Sequence, residues 1–160
     1  MVAAAFFSPV INVLSIRSRK CQPQLFYSIE GYTKGFVISY THSVNKGRVH
    51  DLYKHTEDNS LDLYQTSFVS YGAGIPEPGE TPGAVFSVSD DSYIIENLNR
   101  IVPRLLMAVG LTAKHTIVFD TSFTIGSKEF VLTDYFEPQT SIVIEYKKVS
   151  LLSYLKHEMK

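Results

Sequence analysis

Phe36-Val37-Ile38-Ser39-Tyr40-Thr41, the polar run His42-Ser43-Val44-Asn45-Lys46-Gly47, and Arg48-Val49-His50-Asp51-Leu52-Tyr53-Lys54-His55 decide the fold. Phe36, Ile38 and Tyr40 alternate with Val37, Ser39 and Thr41, the period-two pattern of a strand rich in β-branched and aromatic residues. Arg48 to His55 repeats it, with Arg48, His50 and Leu52 on one face and Val49, Asp51 and Tyr53 on the other. Asn45-Lys46-Gly47 supplies turn chemistry between the two, so the stretch predicts a β-hairpin.

The same texture extends in both directions. Val10–Ile16 and Leu25–Glu30 precede the hairpin as strand candidates. Leu61–Ser70 follows and is long enough to contain a bulge. Ser92–Asn97 and Leu105–Val109 are less regular, and His115–Phe119 is strongly apolar. Phe123–Ile125 and Glu129–Leu132 flank Gly126-Ser127, a two-residue hairpin signal. Ile142, Ile144 and Tyr146 alternate with Ser141, Val143 and Glu145. About ten short strands without a strand–helix rhythm predict an all-β, single-domain antiparallel sandwich or small barrel. Tyr71 to Gly83 holds four of the nine glycines and three of the seven prolines. Pro76, Pro78 and Pro82 cannot serve a central ladder, so this is one long Gly/Pro loop.

Composition narrows the partners. The chain has 160 residues, 44% of them hydrophobic, enough for one real core. Fifteen basic residues against sixteen acidic ones give a net charge of -1. Duplex binding rests on a Lys/Arg excess, so no nucleic acid partner is expected. One cysteine, Cys21, rules out an internal disulfide. Residues 1–9 read as an apolar arm or as the remnant of an export or anchor segment, because Val2–Phe7 falls far short of the ~20 residues that span a bilayer. Residues 10–149 read as the β domain, and 150–160 as a tail or short helix, with Leu151, Leu152 and Leu155 at helical spacing.

The candidate site residues are His42, Ser43, Arg48, Asp51, Tyr71, Gly72, Gly74 and Arg100. His42 beside Ser43 suggests a base and a nucleophile, but strand neighbours point to opposite faces and Gly-x-Ser-x-Gly is absent. Capping of backbone groups at a strand end is the plainer use of both residues. Asp51, if buried, needs a partner, and His42 across the hairpin is the candidate. The five histidines lack His-x-His and His-Glu-x-x-His spacing, so a metal site built from His42, His50 and Asp51 requires folding to assemble it. No metal and no cofactor is expected. Gly72 and Gly74 lack the third glycine of a dinucleotide fingerprint; they suggest positive φ or a close approach of backbone to a ligand or partner. In Glu96-Asn97-Leu98-Asn99-Arg100 and Pro103-Arg104, the arginines offer bidentate carboxylate binding, and the asparagines offer a polar turn.

Taken in order, these segments resemble the bacterial DUF1850 family. The resemblance lies in Tyr40-Thr41-His42-Ser43-Val44, Asp51 within the next strand, Ser70-Tyr71-Gly72-Ala73-Gly74-Ile75-Pro76, Asn97-Leu98-Asn99-Arg100 with Pro103, the hairpin Ile125 to Asp134, and the closing Thr140 to Tyr146. It runs from about Ile11 to Lys147. It implies a small protein working outside the cytoplasmic membrane beside a TRAP-type solute transporter of the TAXI class, often behind a hydrophobic N-terminal segment. It names no reaction. It also draws His42, Ser43, Asp51 and the Tyr71–Pro76 loop together as one clustered site.

The expectation is therefore an extracytoplasmic accessory protein that binds a small-molecule ligand or a membrane transporter component, with no catalytic residue. An anchor segment ahead of the present N-terminus is part of that expectation. The rival from another class is a small hydrolase or metal-assisted enzyme using His42, Ser43 and Asp51. A third reading is a structural β-module that pairs through an open, low-charge edge at Val10–Ile16.

Overall fold

In the computed structural model the described residues are 7–20, 24–69, 79–89, 92–122 and 127–159. They form two antiparallel sheets packed face to face, an all-β sandwich and not a closed barrel. The smaller sheet contains β1 (Ile11–Ser18), β2 (Leu25–Ser28), β8 (Leu105–Ala108) and β11 (Ser141–Val149), in the order β2-β1-β11-β8. The larger contains β3 (Phe36–Thr41), β4 (Arg48–His55), β5 (Leu61–Phe68), β6 (Val85–Ser89), β7 (Ser92–Val102), β9 (Thr116–Val118) and β10 (Glu129–Val131). Its order is β10-β9-β3-β4-β5-β7-β6.

The alternation read from the sequence sets the layers. Cross-strand partners share a face. Phe36 lies opposite Tyr53 and Ile38 opposite Asp51, and Ile38 also lies opposite Ile117. These positions turn inward. They meet Leu14, Ile16, Ile142, Ile144 and Tyr146 of the smaller sheet in one core with Phe119, Phe130 and Phe136. Toward β6 the inner face carries a second cluster, Val49, Phe68, Ile95 and Leu98.

Three departures from the sequence expectation have local causes. The strand expected through Glu30 stops at Ser28, whose hydroxyl accepts from Gly31 N at 2.9 Å and starts helix α1 (Ile29–Thr33). The polar turn expected at Asn97–Asn99 is a bulge inside β7. Asn97 and Asn99 take φ of 58° and 48°, a region asparagine tolerates. The β5–β7 register then jumps from Gln65↔Glu96 to Leu63↔Arg100, and Leu98 is buried in the second cluster. The open edge at Val10–Ile16 that the structural β-module reading requires is not open, because β1 lies between β2 and β11. The strand expected at Phe123–Ile125, residue Gly126, Cys21 and the arm at 1–6 lie outside the described residues.

The chain closes with helix α2 (Leu151–His157), capped by Ser150, whose hydroxyl accepts from Ser153 N. Beyond it, Met159 N donates to Tyr27 O at 3.0 Å. Met159 is buried in the main core.

Candidate functional site

The β3–β4 hairpin carries polar groups on both of its faces. On the inner face, Asp51 stands at the seam between the two apolar clusters. Thr66, directly opposite on β5, donates from Oγ1 to Asp51 Oδ1 at 2.7 Å. The Tyr40 hydroxyl, from the diagonal position on β3, is bonded to the same carboxylate. Asp51 keeps part of its surface accessible, yet its carboxyl is desolvated enough to be pushed up to about 6. The Thr66 and Tyr40 hydroxyls and the field of Arg100 oppose that rise. Burial and the neighbouring carboxylate raise the Tyr40 and Tyr53 phenols above their ordinary range. Arg100 is exposed, and the β7 bulge sets it on this inner face opposite Leu63.

Asp51 is therefore partnered by hydroxyls and not, as the sequence suggested, by His42. The register puts Asp51 opposite Ile38. His42 is four residues further along the chain, ~13 Å at strand rise. His42 is buried and belongs to the turn. Its backbone N donates to Gly47 O at 2.8 Å, and its Nδ1 accepts from Val44 N at 3.3 Å and Asn45 N at 3.5 Å. Ser43 is exposed, and its carbonyl accepts from Lys46 Nζ at 2.6 Å. The turn thus holds His42 and Ser43 away from Asp51, and the trio for hydrolysis is not assembled. Nor does folding gather His42, His50 and Asp51 around one point, since His50 and Asp51 are neighbours on β4 with opposite facing.

The outer face of the hairpin holds a network that the sequence reading missed, apart from Arg48. Ser39 lies opposite both His50 and Thr116. Ser39 Oγ and His50 Nδ1 are 2.7 Å apart. Ser39 has no accessible surface, so this Ser–His contact is closed to a substrate. Arg48 Nη2 donates to Thr116 Oγ1 at 2.9 Å and lies 3.5 Å from Glu129 Oε1. The Thr116 hydroxyl donates in turn to the Glu129 carboxylate. Arg48 Nη1 donates to Lys114 O at 2.7 Å. Burial and the Arg48 charge lower the His50 and His115 imidazoles, and Glu129 pulls His50 partly back. The signal available in the sequence was the alternation itself, which aligns Ser39, His50 and Thr116 once the strand order is known.

Tyr71, Gly72 and Gly74 lie outside the described residues. The root of their segment does not: Val69 stands against the turn, and its Cγ2 would be 2.7 Å from a Cβ placed on Gly47. Val69, the last described residue before that segment, lies beside the His42–Gly47 turn.

A two-sheet sandwich whose longer sheet buries a hydroxyl-bonded carboxyl is the class these elements define. Residues 36–124, more than half of the chain, match the family described as "Domain of unknown function (DUF1850)", and the protein belongs to that family. The match spans β3 through β9, and so contains His42, Arg48, Asp51, Thr66 and Arg100. No curated protein and no solved structure matches the chain.

Proposed function

We propose that this chain is a non-catalytic binding protein that works outside the cytoplasmic membrane as an accessory of a TRAP-type solute transporter. Its recognition surface would be the Asp51 seam with the exposed Arg100 at its margin. The observation that carries the binding reading is the Asp51 carboxyl. A carboxyl bonded by Thr66 and Tyr40 in an otherwise apolar seam is costly to keep in a core. Exposed Arg100 on the same face gives the seam a polar margin where a ligand or partner group can be received. The location and the transporter link rest on what membership of the family implies.

Native mass spectrometry of the freshly purified chain, before and after mild denaturation, tests the binding reading. An added mass that disappears on unfolding and is lost in Asp51→Asn supports it, as does a stable complex with a purified transporter subunit that Asp51→Asn weakens. A bare chain that forms no such complex overturns it. Protease accessibility in intact cells tests the location: digestion from outside supports it, and protection until lysis overturns it.

A further inference from the structure

The outer face of the larger sheet carries a cleft of about 410 Å³ lined by Thr41, Arg48, Leu111, Lys114, Thr116, Val131 and Thr133. We infer that this cleft is a second binding site, separate from the Asp51 seam, and that it takes a small monocarboxylate bearing a short hydrocarbon chain.

The cleft is built in advance of any ligand. Its walls come from β3, β10 and the 110–115 connection, and three bonds tie them together. Thr41 N donates to Ala113 O at 2.6 Å, Leu132 N donates to His115 O at 2.9 Å, and Arg48 Nη1 donates to Lys114 O at 2.7 Å. Little ordering is left for binding to supply. The volume lies within the range of small-molecule sites.

Charge selects the head group. Arg48 and Lys114 are cationic, and Glu129 beside Arg48 offsets one of them, leaving one net positive charge for a monoanion. The field is felt nearby, since the Arg48 charge helps to hold both His50 and His115 below their ordinary range. Arg48 is spent on Thr116, Glu129 and the loop carbonyls. Among the described residues nothing engages Lys114 Nζ, Thr41 Oγ1 or Thr133 Oγ1, which makes them the donors for a carboxylate.

Apolar surface selects the tail. Leu111 is 65% exposed and Val131 38% exposed at the same cleft. Phosphate would use the cations and leave both side chains wet. A carboxylate with a short chain uses the lysine and covers Leu111 and Val131.

Titrating the full chain with sodium hexanoate, acetate and phosphate, followed by amide NMR shifts, tests the inference. Hexanoate should move the amides of Leu111, Lys114, Val131 and Thr133, and acetate should bind about tenfold more weakly. Lys114 sits at φ 46°, where asparagine is at ease, so Lys114→Asn removes the charge and keeps the turn. It should weaken hexanoate about tenfold with an unchanged melting temperature. Leu111→Asp should abolish hexanoate binding. Three results overturn the inference: hexanoate affinity unchanged in Lys114→Asn, shifts centred elsewhere, or phosphate binding as tightly as hexanoate. The Asp51 seam is read separately, because Asp51→Asn should leave the hexanoate shifts as they are.

Discussion

Thr66 Oγ1 lies 2.7 Å from Asp51 Oδ1, straight across from it on the adjacent strand. The hydroxyl favours the charged carboxylate, burial favours the neutral acid, and burial prevails: the folded carboxyl rises from 3.8 to about 6. Between those two values the folded state holds a proton that the unfolded chain has released. The contribution of Asp51 to stability is therefore fully present below about pH 4 and is lost as pH rises through about 6. The loss is about 2–3 kcal/mol. Asp51→Asn should be more stable than the parent chain by up to that amount at pH 7.5 and close to it at pH 4. Urea unfolding at both pH values measures this, and parallel pH profiles for the two proteins would sink it.

Thr66→Val keeps the side-chain volume and removes the donor. At pH 7.5 it should cost about 1–3 kcal/mol, since the buried charge loses a bond. Tyr40→Phe should act in the same direction. In either variant the Asp51 carboxyl should titrate higher than in the parent, read by carbon-13 NMR of the side chain. A downward move would mean that the hydroxyls are not what holds the charge.

His50 and His115 are held below the usual histidine range by burial first and by Arg48 second. Their unfolded counterparts take up protons at higher pH, so both contribute stability that is present above pH 6.5 and is lost as pH falls below 6.5 through their depressed folded values. This slope is opposite in sign to that of Asp51. Arg48→Gln should move both imidazoles upward in a proton NMR titration. If neither resonance shifts its midpoint, the Arg48 field is not felt at these rings.

Gly35 stands at φ 76°, and a Cβ there would lie 2.4 Å from Tyr53 O and 2.8 Å from Thr121 Cγ2. Strain and collision add, one of them against backbone that cannot give. Gly35→Ala should cost at least about 2 kcal/mol. A denaturant midpoint equal to that of the parent would show that the start of β3 can shift.

The hairpin at the centre of the larger sheet was legible because two features agree there. Alternation from Phe36 to Thr41 and from Arg48 to His55 gives the faces, and Asn45-Lys46-Gly47 gives the turn. The same alternation separated His50 from Asp51 correctly. The partner of Asp51 was not legible, because Thr66 reaches it from a third strand and pairing order is absent from a local pattern. Asn97 and Asn99 read as a turn because their conformational tolerance is the same in a turn and in a bulge. Strand β6 was missed altogether: Val85 to Ser89 follows the Gly/Pro segment and is mostly exposed, so no buried face marks it. Arg48 was singled out from the sequence, but its engagement with Thr116 and Glu129 depends on β9 and β10 lying beside β3.

The pairing of β1 with β11 joins Ile11 to Val149 and Ser18 to Ile142, and so sets the order in which the molecule can be made. During synthesis β3, β4 and β5 meet as neighbours almost as soon as they emerge. β2 pairs with one edge of β1 early, but the other edge of β1 must wait for nearly the whole chain before its ladder with β11 exists. Such closure across long separations is slow. The nascent protein therefore carries the centre of the larger sheet early and completes the smaller sheet late. Until β11 arrives, the free edge of β1 is open to whatever chaperone meets it first.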